Sequence, residues 1–327
     1  MATYEKRSWE TLNLPPVSGD TFFKILDHST SDNPGEEQTG VIYDGLVLDG
    51  FGIQNLDEIL SQYVNPTPIV FSTSVQQDNG SHSTFYIYYT QDDWSTWTYD
   101  IVIITYDWSY SASSSAVLSD PVTNLVDTRQ FFLYSIKAGS PDVQTTITMK
   151  IDNETVRTFS ISGYTYYNLV QDLTSTRASN GSKITVGPSV YYVTNTCYNY
   201  CIYYLNQYGG WDSLLFRGRQ LQTDDLSRLS YKKNYVAQSA EFHKVDYLTT
   251  LQERWSLNTS FLNDIESSKM INLMASNKIY IHNLETGHIS PVNITNSNCE
   301  HKYYKNQGRK MATYTIEVSA SQPKYRI

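Results

Sequence analysis

Between residues 67 and 196 the chain alternates apolar and polar positions with a period of two. FSTSV, STFYIYYT, WTYDIVIITYDWSY, RQFFLYSIKA, TTITMKI and TVRTFSI are strand-length runs parted by Asp, Asn, Gly, Ser and Pro. Asp152-Asn153 stands between the last two and predicts a tight hairpin. Six or more short strands at this spacing predict an antiparallel β-sandwich. In STFYIYYT, Phe85, Ile87 and Tyr89 share one face and Tyr86 and Tyr88 the other. Aromatics on both faces mean that one set enters a core and the other meets solvent or a partner.

The flanking regions follow other patterns. Residues 1–66 read as an N-terminal arm in which VIYDGLVLDGFGI (41–53) predicts a hairpin turning at Asp44-Gly45 and a bend at Asp49-Gly50. Asn55 and Glu58 form a capping box for a short helix with Leu56, Ile59, Leu60 and Tyr63 as its stripe, ended by Pro66 and Pro68. After residue 197 further strands precede LNDIESSKMINLMAS. There Asn263 and Glu266 form a second capping box, and Ile265, Met270, Leu273 and Met274 share one side of a helix near 264–276. In the last run Tyr314, Ile316, Val318 and Ala320 point one way. The expected fold is mainly β: an antiparallel sandwich domain at 67–196, then a second β domain at 197–327 with one flanking helix.

Charge supports a division near residue 197. Residues 1–196 carry 9 Lys and Arg against 22 Asp and Glu, and residues 197–327 carry 15 against 11, within a total of −9. An acidic chain of pI about 5.1 does not bind duplexes by general phosphate neutralisation. The 28 tyrosines fit strands and broad contact surfaces better than a compact apolar core. MATYEKRSWETLNLPP lacks the apolar stretch of a secretory signal, and no run is long enough to cross a membrane, so synthesis in a cytosol as a soluble protein is expected.

The candidate chemistry is thin. Cys197, Cys201 and the Cys299-Glu300-His301 cluster are conceivable zinc ligands. On a strand, however, Cys197 and Cys201 lie about 13 Å apart, too far for one metal or for a disulfide. No nucleophile elbow, H-E-x-x-H or P-loop pattern occurs, and Gly50-Phe51-Gly52 lacks the third glycine of a dinucleotide loop. His282 and His288 flank a turn and read as exposed loop residues. Glycoside hydrolysis needs only two carboxylates, for which Asp92-Asp93 and Asp224-Asp225 are visible; adjacent strand residues face opposite ways, and turn aspartates are the simpler reading. No cofactor or metal is expected.

The stretch CYNYCIYYLNQYGGWDSLLFRGR (197–219) predicts a strand, a tight turn and a second strand. Cys197, Asn199, Cys201, Tyr203 and Leu205 share one face; Tyr198, Tyr200, Ile202 and Tyr204 share the other. Tyr208, Gly209, Gly210, Trp211 and Asp212 form its corner, with Trp211 packed over the bend and Asp212 bonding the turn's amides.

Together with ERWSLNTSFLNDIESSKMINLMASNKIYIHNLETGHISPVNIT (253–295) and KYYKNQGRKMATYTIEVSASQPK (302–324), the run YYLNQYGGWDSLLFRG (203–218) resembles virion tail and neck proteins of the crAss-like phages of Bacteroidetes. The order of elements is also similar to tail-tube and distal-tail modules. The resemblance implies a non-enzymatic ring subunit of a virion, made in the bacterial cytoplasm. Its partners would be copies of itself, neighbouring tail, neck or portal proteins, and genomic DNA passing without sequence-specific binding. Trp94, Trp97, Trp108, Lys302, Lys305, Arg309 and Lys310 are the expected interface residues, the basic ones facing protein or solvent. A host-surface carbohydrate-binding or depolymerising tail protein is the alternative.

Overall fold

The structure is a computed structural model. It describes residues 3–7, 16, 18–27, 41–48, 50, 60, 62–78, 82–90, 98–105, 116–119, 125–138, 140–163, 166–195, 199–234, 244–259, 261–262, 264–296, 302–306 and 309–326. The fold is mainly β, with antiparallel sheets and one α-helix, Asp264–Ala275, among the described residues.

A sandwich forms from part of the period-two region, while two of the predicted runs, at 83–90 and 98–105, join another sheet. One sheet orders strands Ser74–Asp78, Tyr166–Asp172, Phe131–Lys137 and Ala116–Val117; the other orders Glu154–Gly163, Ser140–Ile151, Lys183–Val186, Ser189–Thr194 and Leu125–Asp127. Phe132, Tyr134, Ile136 and Leu169 of the first meet Ile147, Met149, Ile161, Ile184 and Val193 of the second. Asp152 and Asn153 both take positive φ, 50° and 70°, at the predicted hairpin, where Ile151 faces Glu154.

The first of these sheets is apolar on its other side too. Leu133 and Val170 pack with Ile69, Cys201, Tyr203, Leu205, Trp211, Leu215 and Leu284, which bring in the C-terminal sheet. That sheet orders strands Trp211–Leu215, Tyr200–Leu205, Ile279–Asn283, Ile289–Ile294, Thr315–Ala320, Lys244–Asn258 and Gln220–Lys232, with Lys324–Arg326 beside Lys244–Asn258. Its far side carries Ile202, Tyr204, Phe216, Trp255, Leu257, Ile281, Ile316 and Val318 against Met270 and Leu273 of the helix. The result is a four-layer stack of sheet, sheet, sheet and helix. Strand Tyr200–Leu205 is buried on both faces, which is why it lacks polar alternation. Met270 and Leu273 are buried and Met274 partly so, as the helical pattern predicts.

Two expectations need correction. Residues Val41–Val47 form one uninterrupted strand, so no hairpin turns at Asp44-Gly45. Gly45 faces Phe23 across the sheet, and a Cβ there would stand 2.8 Å from the Phe23 ring; the glycine makes room for an aromatic, and that packing overrides the Asp-Gly signal. The N-terminal sheet orders Thr3–Arg7, Thr98–Thr105, His82–Thr90, Thr21–Asp27 and Val41–Val47, so it joins strands from both sides of residue 66. Phe85 and Ile87 are buried with Phe23 and Ile25, and Tyr88 is buried on the opposite face. The capping-box residues Asn55, Glu58 and Asn263 and the bend residue Asp49 lie outside the described residues, as do Cys197, Cys299 and His301.

Candidate functional site

The corner at 206–212 sits at the junction of the two inner sheets. Gly209 takes φ 80°, and Gly210 approaches so closely that a Cβ would stand 2.8 Å from Leu118. Trp211 is fully buried, its ring 5.7 Å from that of Tyr280, and its main-chain N–H donates to Ser135 Oγ at 2.8 Å. Asn206, which the sequence reading did not single out, bonds the turn's amides: its Oδ1 accepts from the N–H groups of Tyr208 (2.9 Å) and Gly210 (3.0 Å). Its Nδ2 donates to Leu118 O (2.8 Å) and Asp212 Oδ2 (2.6 Å). An Asn two residues before the turn does this because its side chain offers both acceptor and donor. The arrangement is architectural.

A second polar group joins the same layers. The Tyr203 hydroxyl accepts from Phe131 N–H at 2.9 Å and lies 3.1 Å from His282 Nδ1. The two side chains share one hydrogen bond between the layers. His282 is 2% exposed, which corrects its reading as a loop residue; His288, across the turn, is exposed. Burial pushes the His282 pKa down to about 4, against the upward pull of Asp172 and Asp127. Nearby, the buried Asp127 carboxylate takes both Nε and Nη2 of Arg129, at 2.9 and 3.0 Å. The Cys201 thiol is fully buried and its pKa is raised, chiefly by burial, so it is not a reactive nucleophile.

The expected interface residues fall in two places. Trp94, Trp97 and Trp108 lie outside the described residues. Lys302, Lys305, Arg309 and Lys310 lie on a hairpin of strands Lys302–Asn306 and Arg309–Thr313, with Lys305 opposite Lys310 and Asn306 opposite Arg309. Asp224 and Asp225 sit on Gln220–Lys232, and Asp225 pairs with Arg254 at 2.8 Å. No third carboxylate, histidine or cysteine joins them in a metal-binding group among the described residues.

The feature that the pattern did not single out is the hairpin of Gln220–Lys232 and Lys244–Asn258. Its 13-residue strand spans roughly 43 Å at about 3.3 Å per residue. The 15-residue strand is held by Thr315–Ala320 along 254–258 and by Lys324–Arg326 along 249–251. Beyond Leu229 and Leu248, the two strands pair only with each other among the described residues. Register divides the outer part into two faces. Leu229 opposite Leu248 and Tyr231 opposite Val245 make one, with the Tyr247 ring 6.2 Å from that of Tyr231. Arg228, Ser230 and Lys232 make the other, where Lys232 stands directly opposite Lys244 and Arg228 reaches Asp246 at 3.7 Å. Leu226, Leu229, Tyr231 and Tyr247 are each about half exposed or more. The signal was present as the Leu229/Tyr231 alternation, but nothing in it states that no sheet among the described residues covers that face.

No protein-family model and no curated protein matches the chain. Among solved structures it is similar to dimeric latent PorU from Porphyromonas gingivalis, at 10% identity, covering 79% of this chain and 31% of that one. The TM-score is 0.21, and a likeness that slight carries no argument about fold or function. No helix among the described residues is long and apolar enough to cross a membrane.

Proposed function

We propose that the chain is a non-enzymatic structural subunit of a tailed-bacteriophage tail or neck, assembling with copies of itself into a closed ring around the DNA channel and joining neighbouring tail, neck or portal proteins. The observation that carries the reading is the projecting hairpin. An isolated two-stranded hairpin is marginal in water, and this one extends past its last sheet partner with Leu229, Tyr231, Tyr247 and Leu248 on one face. Its outer strand has no further strand partner among the described residues, and such an edge is the element through which strands recruit a further strand. Directly opposed Lys232 and Lys244 repel each other unless an acidic surface faces them, and residues 1–196 of a neighbouring copy supply such a surface. A contact between hairpin and a different surface is heterologous, and heterologous contacts close into a ring when the rotation from copy to copy closes. The resemblance of 203–218, 253–295 and 302–324 to tail and neck proteins supplies the virion setting. An acidic wall repels phosphate and lets DNA pass without sticking.

Native mass measurement and negative-stain microscopy of the purified chain over a range of concentrations test this. Rings or a concentration-dependent multimer are expected. A species that stays monomeric at every concentration and retains or cleaves bacterial glycans overturns the reading in favour of a host-surface glycan protein.

A further inference from the structure

A cleft of about 620 Å³ opens at one edge of the sandwich, between strand Glu154–Gly163, the segment Gln171–Arg177 and Thr73. Its volume falls in the range of small-ligand sites. Its lining is unlike that of most such sites: Val156 is the one apolar residue, and the others include Thr155, Arg157, Gln171, Ser175, Thr176 and Arg177. No aromatic ring lines it, so it offers nothing on which a flat apolar ligand stacks.

Two guanidinium groups line the cleft, and they differ. Arg177 pairs with Glu154. Arg157 forms no ion pair, and its Nη1 is shielded from bulk water while donating to no acceptor. It is the one charged atom among the shielded, unsatisfied side-chain atoms of the described residues, the rest being tyrosine hydroxyls and indole N–H groups. A shielded cationic donor without an acceptor costs more than a neutral one, and an oxyanion relieves that cost with a charge-assisted bond. Asp152, which lies near Arg177, is also engaged: it accepts from Lys183 N–H at 2.8 Å and Ser182 Oγ at 2.7 Å.

The opposite wall is prearranged for hydroxyls. Asp172 Oδ1 accepts from Thr174 N–H at 2.9 Å and fixes the turn. Ser175 Oγ donates to Asp172 O and Thr176 Oγ1 to Leu173 O, each at 2.8 Å; each oxygen also accepts once, from Gln171 Nε2 at 3.4 Å and Ala178 N–H at 3.2 Å, and keeps one lone pair for a ligand hydroxyl. Thr73 Oγ1 accepts from Asp172 N–H at 3.1 Å, so its own proton is available to a ligand. We propose that this cleft binds an oxyanion carried on a polyhydroxylated ligand, as in a uronic acid or a sugar phosphate, with Arg157 as the anion anchor and Thr73, Ser175 and Thr176 meeting the hydroxyls. The site is independent of the ring reading, since it is built within one chain.

Calorimetric titration of the full chain with glucuronate, glucose 6-phosphate, glucose and inorganic phosphate tests it. Saturable binding of at least one of the two anionic sugars is expected, about tenfold tighter than glucose and than inorganic phosphate. The relative affinities of glucuronate and glucose 6-phosphate distinguish the carboxylate from the phosphate source. Arg157→Gln should weaken it about tenfold or more, and Arg157→Lys should restore part of the loss, because a lysine keeps the charge but not the planar fork. Should Arg157→Gln fail to fold, chemical-shift changes on the wild-type chain decide: anionic sugar must move the amides of Gln171 and Ser175–Arg177. No saturable binding of either anionic sugar, equal affinity for glucose or for bare phosphate, or unchanged affinity in folded Arg157→Gln overturns the proposal.

Discussion

The central strands and the projecting hairpin use the same side chains to opposite ends. In Tyr200–Leu205, Cys201, Tyr203 and Leu205 face the sandwich while Ile202 and Tyr204 face the helix-covered core, and all five are buried. In Gln220–Lys232, Leu229 and Tyr231 share one face and Leu226 takes the other, yet each is about half exposed or more. Burying such side chains is worth about 1.5–3 kcal/mol apiece. The first region has realised that stabilisation within the chain; in the second it is unrealised in the single chain and, on the proposed reading, is gained on assembly. Stability and assembly are therefore separable, and substitutions in the two regions should move different observables.

The largest effect is expected at the corner. Trp211→Ala removes a fully buried ring where the inner sheets meet and should cost about 3–5 kcal/mol, read as a lowered denaturant midpoint. Asn206→Ala should follow at about 2–3 kcal/mol, since it leaves the amides of Tyr208 and Gly210 and the carbonyl of Leu118 without their partner. A loss below 1 kcal/mol in both would remove the corner from the stabilising framework.

Acid should act on the same junction. The folded His282 pKa lies near 4, below its ordinary value of 6.5, so between those values the unfolded chain binds more protons. Its contribution is therefore present above pH 6.5 and is lost as pH falls toward 4, by up to about 3 kcal/mol. His282→Gln should flatten that slope in chemical unfolding measured across this pH window; an unchanged slope assigns the acid sensitivity elsewhere.

Much of this was legible in the chain and some was not. Period-two alternation located strands, and Asp152-Asn153 marked a hairpin, because both signals are local; which sheet a strand joins was not legible, and 83–90 and 98–105 left the expected sandwich for the N-terminal sheet. The faces of Cys201, Tyr203 and Leu205 against Ile202 and Tyr204 were also legible. That both faces are covered was not, because burial depends on layers brought together from distant segments. For the same reason His282 read as a loop residue, although Tyr203, 79 positions away, receives it. Asp44-Gly45 misled because the Phe23 ring needs a residue without Cβ opposite it. The cleft at Arg157 was invisible, since its walls meet only after residues 73, 157 and 177 are folded together.

The smallest effect on stability should come from the hairpin. Leu229→Asp with Tyr231→Asp should change unfolding free energy by only about 0.5 kcal/mol, because both side chains are about half exposed in the single chain. That double variant gives the most direct test, by sedimentation velocity beside the wild type at matched concentrations. The account predicts a wild type that assembles and a variant that stays monomeric with the same unfolding midpoint. A variant that assembles as the wild type does, or one that loses assembly only because it unfolds, contradicts the claim that this hairpin holds its apolar face for a neighbouring copy.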